Sequence, residues 1–206
     1  MRLADKTSPL SQSKKTTKRN PPMKIVPVSL LAAVALSLTA YAQVPVTPQS
    51  LDVKKPAISW PKTPEFQITG GANKRYRLQE WLEIEIPYET KPELMDELTF
   101  KVTIQFDRKL LVGEATYVNI AKNREHYAVV YVSPKSLNRL TGGKNVTPAM
   151  LENVWVEVSR QGQILAKTQD KPVNIPNVQQ LTGYVLTKDQ TPFAPLYYDR
   201  YETLKP

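Results

Sequence analysis

Leu98-Thr-Phe-Lys-Val-Thr-Ile-Gln-Phe106 puts Leu98, Phe100, Val102, Ile104 and Phe106 on one side and Thr99, Lys101, Thr103 and Gln105 on the other. Successive strand side chains point to opposite faces, so this period of two marks a half-buried strand. Asp107-Arg108-Lys109 turns the chain. Leu110 to Ile120 then follows with Val112, Thr116 and Val118 in alternation, β-branched residues that suit a pleated surface. Tyr127-Ala-Val-Val-Tyr-Val132 is apolar on both faces and needs cover from both, which places it centrally in a sheet.

Outward from this nucleus the same grammar continues. In Trp81-Leu-Glu-Ile-Glu-Ile-Pro87, Leu82, Ile84 and Ile86 face in while Glu83 and Glu85 share a solvated face. Carboxylates two apart suggest acid and base work, but nothing adjacent buries either one to tune it. Tyr88 to Glu97 reads as a polar connection. Ser133-Pro-Lys-Ser-Leu-Asn-Arg-Leu140 has a capping serine, proline at the first helical position and glycines at 142 and 143, which predicts a short helix; Thr147-Pro148 opens a second turn. Val154 to Arg160, Gln161-Gly162 and Gln163 to Thr168 form a predicted hairpin. With Val154, Val156 and Val158 inward, Trp155 points outward as either a contact residue or one covered by the Pro-rich leader. Leu181 to Leu186 is a last strand with a bend at Gly183. The expectation is an all-β, immunoglobulin-like β-sandwich of about seven to eight strands with one or two short helices.

Composition bounds the rest. The chain has 206 residues, 18 prolines, no cysteine and one histidine, with a formal charge of +9. From Met23, a basic start, an apolar segment Ile25–Leu38 and the flank Ala40-Tyr-Ala42 follow the order of a secretory signal peptide. That apolar segment is 14 residues, short of the roughly 20 that cross a bilayer, so no retained membrane span is expected. Residues 1–42 carry seven basic side chains against Asp5, a net of +6, so the remainder keeps +3 of the +9. So small a surplus gives little drive toward phosphate, and nucleic-acid binding is not expected. The implied organisation is an unstructured leader or mis-assigned start over 1–22, a signal peptide over 23–42, a Pro-rich extended segment over 43–77 with Trp60 and Phe66 as anchors, and the β-sandwich over 78–206. Export leads to the periplasm, the outer cell surface or the extracellular space. A disulfide-free exported domain of this length fits a bacterial envelope.

Enzyme chemistry has little to build on. His126 has no cysteine or second histidine with which to form a usual zinc site or a Cys-His pair, no G-x-S-x-G elbow is present, and the acidic residues form no calcium loop. No cofactor or catalytic residue is assigned. Binding is the remaining class. The ending Thr191-Pro-Phe-Ala-Pro-Leu-Tyr-Tyr-Asp-Arg-Tyr201 gathers Phe193, Leu196, Tyr197, Tyr198 and Tyr201 around two prolines, with Asp199 and Arg200 as a possible pair. Trp155, Tyr197, Tyr198, Arg200 and Tyr201 are the candidate protein-contact residues, since tyrosine and arginine are favoured at interface hot spots. On that reading, removing 193–206 leaves unfolding nearly unchanged; if the segment folds back to seal its own sheet, removal unfolds the domain.

The export signal, the Pro-rich leader, the alternating strands and the Thr191–Tyr201 ending resemble a small exported immunoglobulin-like protein encoded with the type IV pilus gene cluster of gut verrucomicrobia. The resemblance implies an envelope sandwich that meets envelope or pilus proteins, or a host surface, as an accessory or adhesion module; the oligomeric state is left open. A pilin would keep its apolar N-terminal helix, whereas cleavage after Ala42 discards this one. A different class is an envelope carbohydrate-binding domain or weak hydrolase with Trp60, Trp81 and Trp155 as stacking residues. It requires a concave face that exposes two of them beside a carboxylate.

Overall fold

A computed structural model of the chain describes residues 51–67, 69–71, 77–91, 95–122 and 124–206. The chain separates into two units, Met1–Ala42 and Gln43–Pro206, and every described residue lies in the second. The leader, signal and Met1–Ala42 readings therefore lie outside the described residues.

Two sheets face each other. The first holds β1 (Leu51–Val53) and β2 (Ala57–Ser59), both on the same edge of β3 (Leu82–Thr90), followed by β6 (Glu125–Val132) and β10 (Val185–Thr187). The second runs β11 (Thr203–Leu204), β5 (Lys109–Ile120), β4 (Met95–Phe106), β7 (Leu151–Arg160) and β8 (Gln163–Gln169), with β9 (Gln180–Thr182) parallel to β5. This is the expected all-β sandwich. Short strands β1, β2, β9, β10 and β11, two or three residues each, raise the count of described strands above the anticipated seven to eight.

The nucleus behaves as its period demands. Leu98, Phe100, Val102, Ile104 and Phe106 are fully buried, facing Leu82, Ile84 and Ile86 of β3, Ala128, Val130 and Val132 of β6 and Val154, Val156 and Val158 of β7 in one core. Helix α1 (Pro134–Leu140) buries Leu137 and Leu140 in the same core, and Ser133 Oγ accepts from Ser136 N at 3.1 Å to cap it. Strands β4 and β5 meet at Asp107-Arg108, both at positive φ (46° and 61°), a primed turn whose twist suits a hairpin. Glu152 holds this turn by accepting from Arg108 N at 2.7 Å.

Three local expectations change, and one choice left open by the sequence is settled. In β5 the core-facing set is Leu111, Ala115 and Tyr117, opposite Ile104, Phe100 and Leu98, so Val112, Thr116 and Val118 belong to the outer face. Between them, Gly113 lets Val185 of the opposing sheet approach so closely that a Cβ there would stand 2.5 Å from Val185 Cβ. Tyr88 to Glu97 is less a connection than two strand ends: Tyr88, Thr90 and Met95 are buried. Residues 181–186 are not one strand; at Gly183 (φ +80°) the chain leaves β9 in the second sheet and enters β10 in the first. In the Pro-rich segment Trp60 packs on the core, but Phe66 is exposed rather than anchoring.

Strand β10 stops at Thr187, paired to Val130, which leaves Val129 of β6 without a partner strand on that edge. The Tyr117 hydroxyl reaches from the second sheet to fill the gap, accepting from Val129 N at 2.9 Å and donating to Val129 O at 3.1 Å. A buried peptide group left unpaired would cost heavily, and this phenol removes that cost.

Candidate functional site

Because β6 is apolar on both sides, Val129 and Tyr131 need cover on the face turned away from the core, and the C-terminal segment supplies it. Phe193 stacks on Tyr131 with ring centroids 4.9 Å apart and planes at 6°, and meets Trp81 edge-on at 5.6 Å. Trp81 Nε1 donates to Thr63 Oγ1 at 3.1 Å, which draws the Pro-rich segment to the same cluster. The segment therefore seals a sheet face and, through β11 on β5, also an edge of the second sheet. Of the two readings of 193–206, the burial of Phe193 in a four-residue aromatic and aliphatic cluster favours the one in which the segment folds back onto its own sheet.

Past this cluster the segment is pinned by charge. Arg200 grips Glu85 of β3 with two bonds, Nε to Oε2 at 2.9 Å and Nη2 to Oε1 at 2.6 Å, while its guanidinium lies 3.7 Å from the Tyr127 ring centroid. Tyr201 OH donates to Glu85 Oε2 at 2.7 Å. Burial pushes the Glu85 carboxyl up, but the bonds from Arg200 and Tyr201 outweigh it and hold the group below the usual carboxylate range. Burial and the bond to Glu85 push the Tyr201 phenol up. Further along, buried His126 places Nδ1 2.7 Å from Glu202 Oε1 and donates through Nε2 to Ala121 O at 2.8 Å. Both ring nitrogens are engaged in holding the chain.

Between this segment and the Pro-rich one lies an open cleft of about 480 Å³, lined by Pro61, Lys62, Pro64, Glu83, Glu85, Phe193, Leu196, Tyr197, Arg200 and Tyr201. Tyr197 lines it and is 63% exposed, and the next residue, Tyr198, is 84% exposed. Tyr197 sits at φ +52°, a left-handed conformation that a tyrosine rarely adopts, within a turn closed by Arg200 N donating to Tyr197 O at 3.2 Å.

The five candidate contact residues thus divide. Tyr197 and Tyr198 are exposed, whereas Arg200 and Tyr201 have become clamps on Glu85, and Arg200 pairs with that residue rather than with Asp199. Trp155 is no contact residue: it is on the outer face as its period requires, but only 6% exposed, with Nε1 donating to Val173 O. The partner that the indole finds is Val173, in the chain beyond β8. Trp81 is buried too and Trp60 packs on the core, so no face presents two tryptophans for sugar stacking. Glu85 is the residue that local reasoning missed. Its outward direction was legible, but the arginine that covers it lies 115 positions away.

Among the described residues no helix is long and apolar enough to cross a membrane, and no group of three or more His, Cys, Asp or Glu is placed to hold a metal ion. No curated protein matches the chain. A crystal structure of a protein from Akkermansia muciniphila superimposes with a TM-score of 0.66 at 26% identity, over 76% of this chain and 93% of that one. A protein-family model matches residues 42–206, well over half of the sequence. The chain belongs to the family which that model defines, and it shares its sandwich with the Akkermansia muciniphila protein.

Proposed function

We propose that this protein is an exported, non-catalytic module of the bacterial envelope that acts by protein contact, as a pilus-associated accessory or adhesion module. The observation that carries the reading is the pair Tyr197 and Tyr198, 63% and 84% exposed on a segment otherwise locked to the sheet by Phe193 and Arg200. Exposed aromatic rings on a rigid support bind with little loss of conformational freedom, which is the character of an interface anchor. The adjoining cleft gives a partner side chain somewhere to insert. Export is supported by the small-residue flank Ala40-Tyr-Ala42 and by a family match that begins at residue 42. A non-catalytic role is supported by His126, the one histidine, whose two nitrogens are consumed in holding Glu202 and Ala121.

The test is affinity capture from envelope extract by the wild-type domain and by a Tyr197→Ser/Tyr198→Ser double variant, with thermal unfolding measured alongside. Retention of a defined pilus or envelope protein by the wild type, reduced about tenfold or more in a double variant of unchanged melting temperature, is the expected result. A tenfold loss corresponds to about 1.4 kcal/mol, modest for two anchor residues. Equal capture by both forms overturns the assignment of the contact to these tyrosines.

A further inference from the structure

Tyr201 also lines a second and smaller cavity of about 250 Å³, which has a lysine in its wall. Lys188 is 8% exposed, and its Nζ donates to Ala194 O at 2.9 Å and lies 5.3 Å from the Tyr201 ring centroid. No carboxylate of the described residues forms an ion pair with it, although Asp189 and Glu202 line the same cavity. Both are occupied: Asp189 accepts from Thr187 Oγ1, and Glu202 faces His126. Burial without a counter-charge disfavours the charged form, and it lowers the ordinary lysine value.

We propose that the ε-amine of Lys188 is a covalent attachment point for small aldehydes admitted to this cavity. The neutral amine carries the lone pair that such a reaction needs, and a cavity of this size takes a carbonyl compound of a few heavy atoms. Lys188 Nζ attacks the carbonyl carbon, the C–N bond forms and the C–O bond breaks. The carbonyl oxygen leaves as water with the two amine hydrogens, giving an imine. The cavity shares Tyr198 with the proposed contact surface, but aldehyde attachment at Lys188 does not depend on that contact.

The experiment treats the full chain at pH 7 with acetaldehyde and cyanoborohydride, the hydride donor that converts each imine to a stable ethylamine. The reaction is stopped at low conversion and the ethylated lysines are mapped by peptide mass spectrometry. Lys135 and Lys144, both exposed, serve as internal references. The expected result is ethylation of Lys188 at least about tenfold faster than either reference, because burial leaves more of its amine unprotonated, with the preference lost when the chain is unfolded in guanidinium. Ethylation of Lys188 at or below the rate of Lys135 and Lys144 in the folded chain overturns the proposal. So does a preference that persists in guanidinium, because it would then owe nothing to the cavity.

Discussion

On the outer face of the first sheet, Val129 and Tyr131 lie under Phe193; on the outer face of the second, Trp155 stands in a row with Thr103 and Val112, and the chain beyond β8 lies over it. Both sheets carry more apolar surface than the core can use, and both cover the surplus with an irregular stretch. The fastenings differ. The first cover is held by an ion pair, Arg200 on Glu85. The second is held by amides: Asn153 Nδ2 donates to Lys171 O at 3.0 Å, Asn153 Oδ1 accepts from Lys171 N at 2.8 Å, and Trp155 Nε1 reaches Val173 O. The exposed residues differ too, tyrosines on the first cover and Val173, Ile175 and Val178 on the second. Burial of a large apolar group is a shared need, but the bonds that fix the cover decide how it responds to pH and what it offers to a partner.

The comparison breaks most sharply at Phe193. Phe193→Ala removes the ring that fills the space between Tyr131 and Trp81, at a cost of about 3–5 kcal/mol, read as a drop in the denaturation midpoint at unchanged slope. An effect below 1 kcal/mol would mean that the cover is ornamental and that the contact reading can claim the whole segment. On the other face, Asn153→Ala should cost about 1–2 kcal/mol, because it removes both bonds from buried Asn153 to the Lys171 peptide groups, which water then replaces only in part. Trp155→Phe keeps most of the ring and loses only the bond to Val173 O, so about 1 kcal/mol is expected in the same assay.

The smallest effect separates the two fastenings. Glu85 is held below the usual carboxylate range in the folded chain, so its ionised form contributes stability that is fully present above that range and is lost as pH falls through the lowered folded value. Stability measured by denaturant between pH 6 and pH 3 should therefore fall less steeply in Glu85→Gln than in the wild type, whereas Asn153→Ala should keep the wild-type dependence. Identical slopes in Glu85→Gln and wild type would remove charge as the first cover's fastening.

Much of this was legible in order along the chain. Alternation from Leu82 to Ile86 and from Leu98 to Phe106, the helix capped by Ser133 and the Gln161-Gly162 turn are local patterns with local causes, and each stands where its period or turn chemistry puts it. The double-sided β6 even announced that something must lie on its outer face. Which face of β5 turns inward was not legible, because Leu110, Leu111 and Val112 are apolar in succession and Gly113 carries no side chain to mark its face. The small cavity at Lys188 left no sequence signal, since its lysine is distinguished by having no ion pair among the described residues.

The sequence by itself determined two apolar layers of extended backbone, because hydrophobic period, caps and turns act over a few residues. Only the tertiary structure decided which of the aromatics became cover and which stayed exposed. Trp155 and Phe193 are buried, Tyr197 and Tyr198 are not, and Arg200 reaches Glu85 from 115 positions away. Such choices rest on which segment happens to lie over which sheet, and a period-two pattern gives a side chain's direction without saying what will come to lie on top of it.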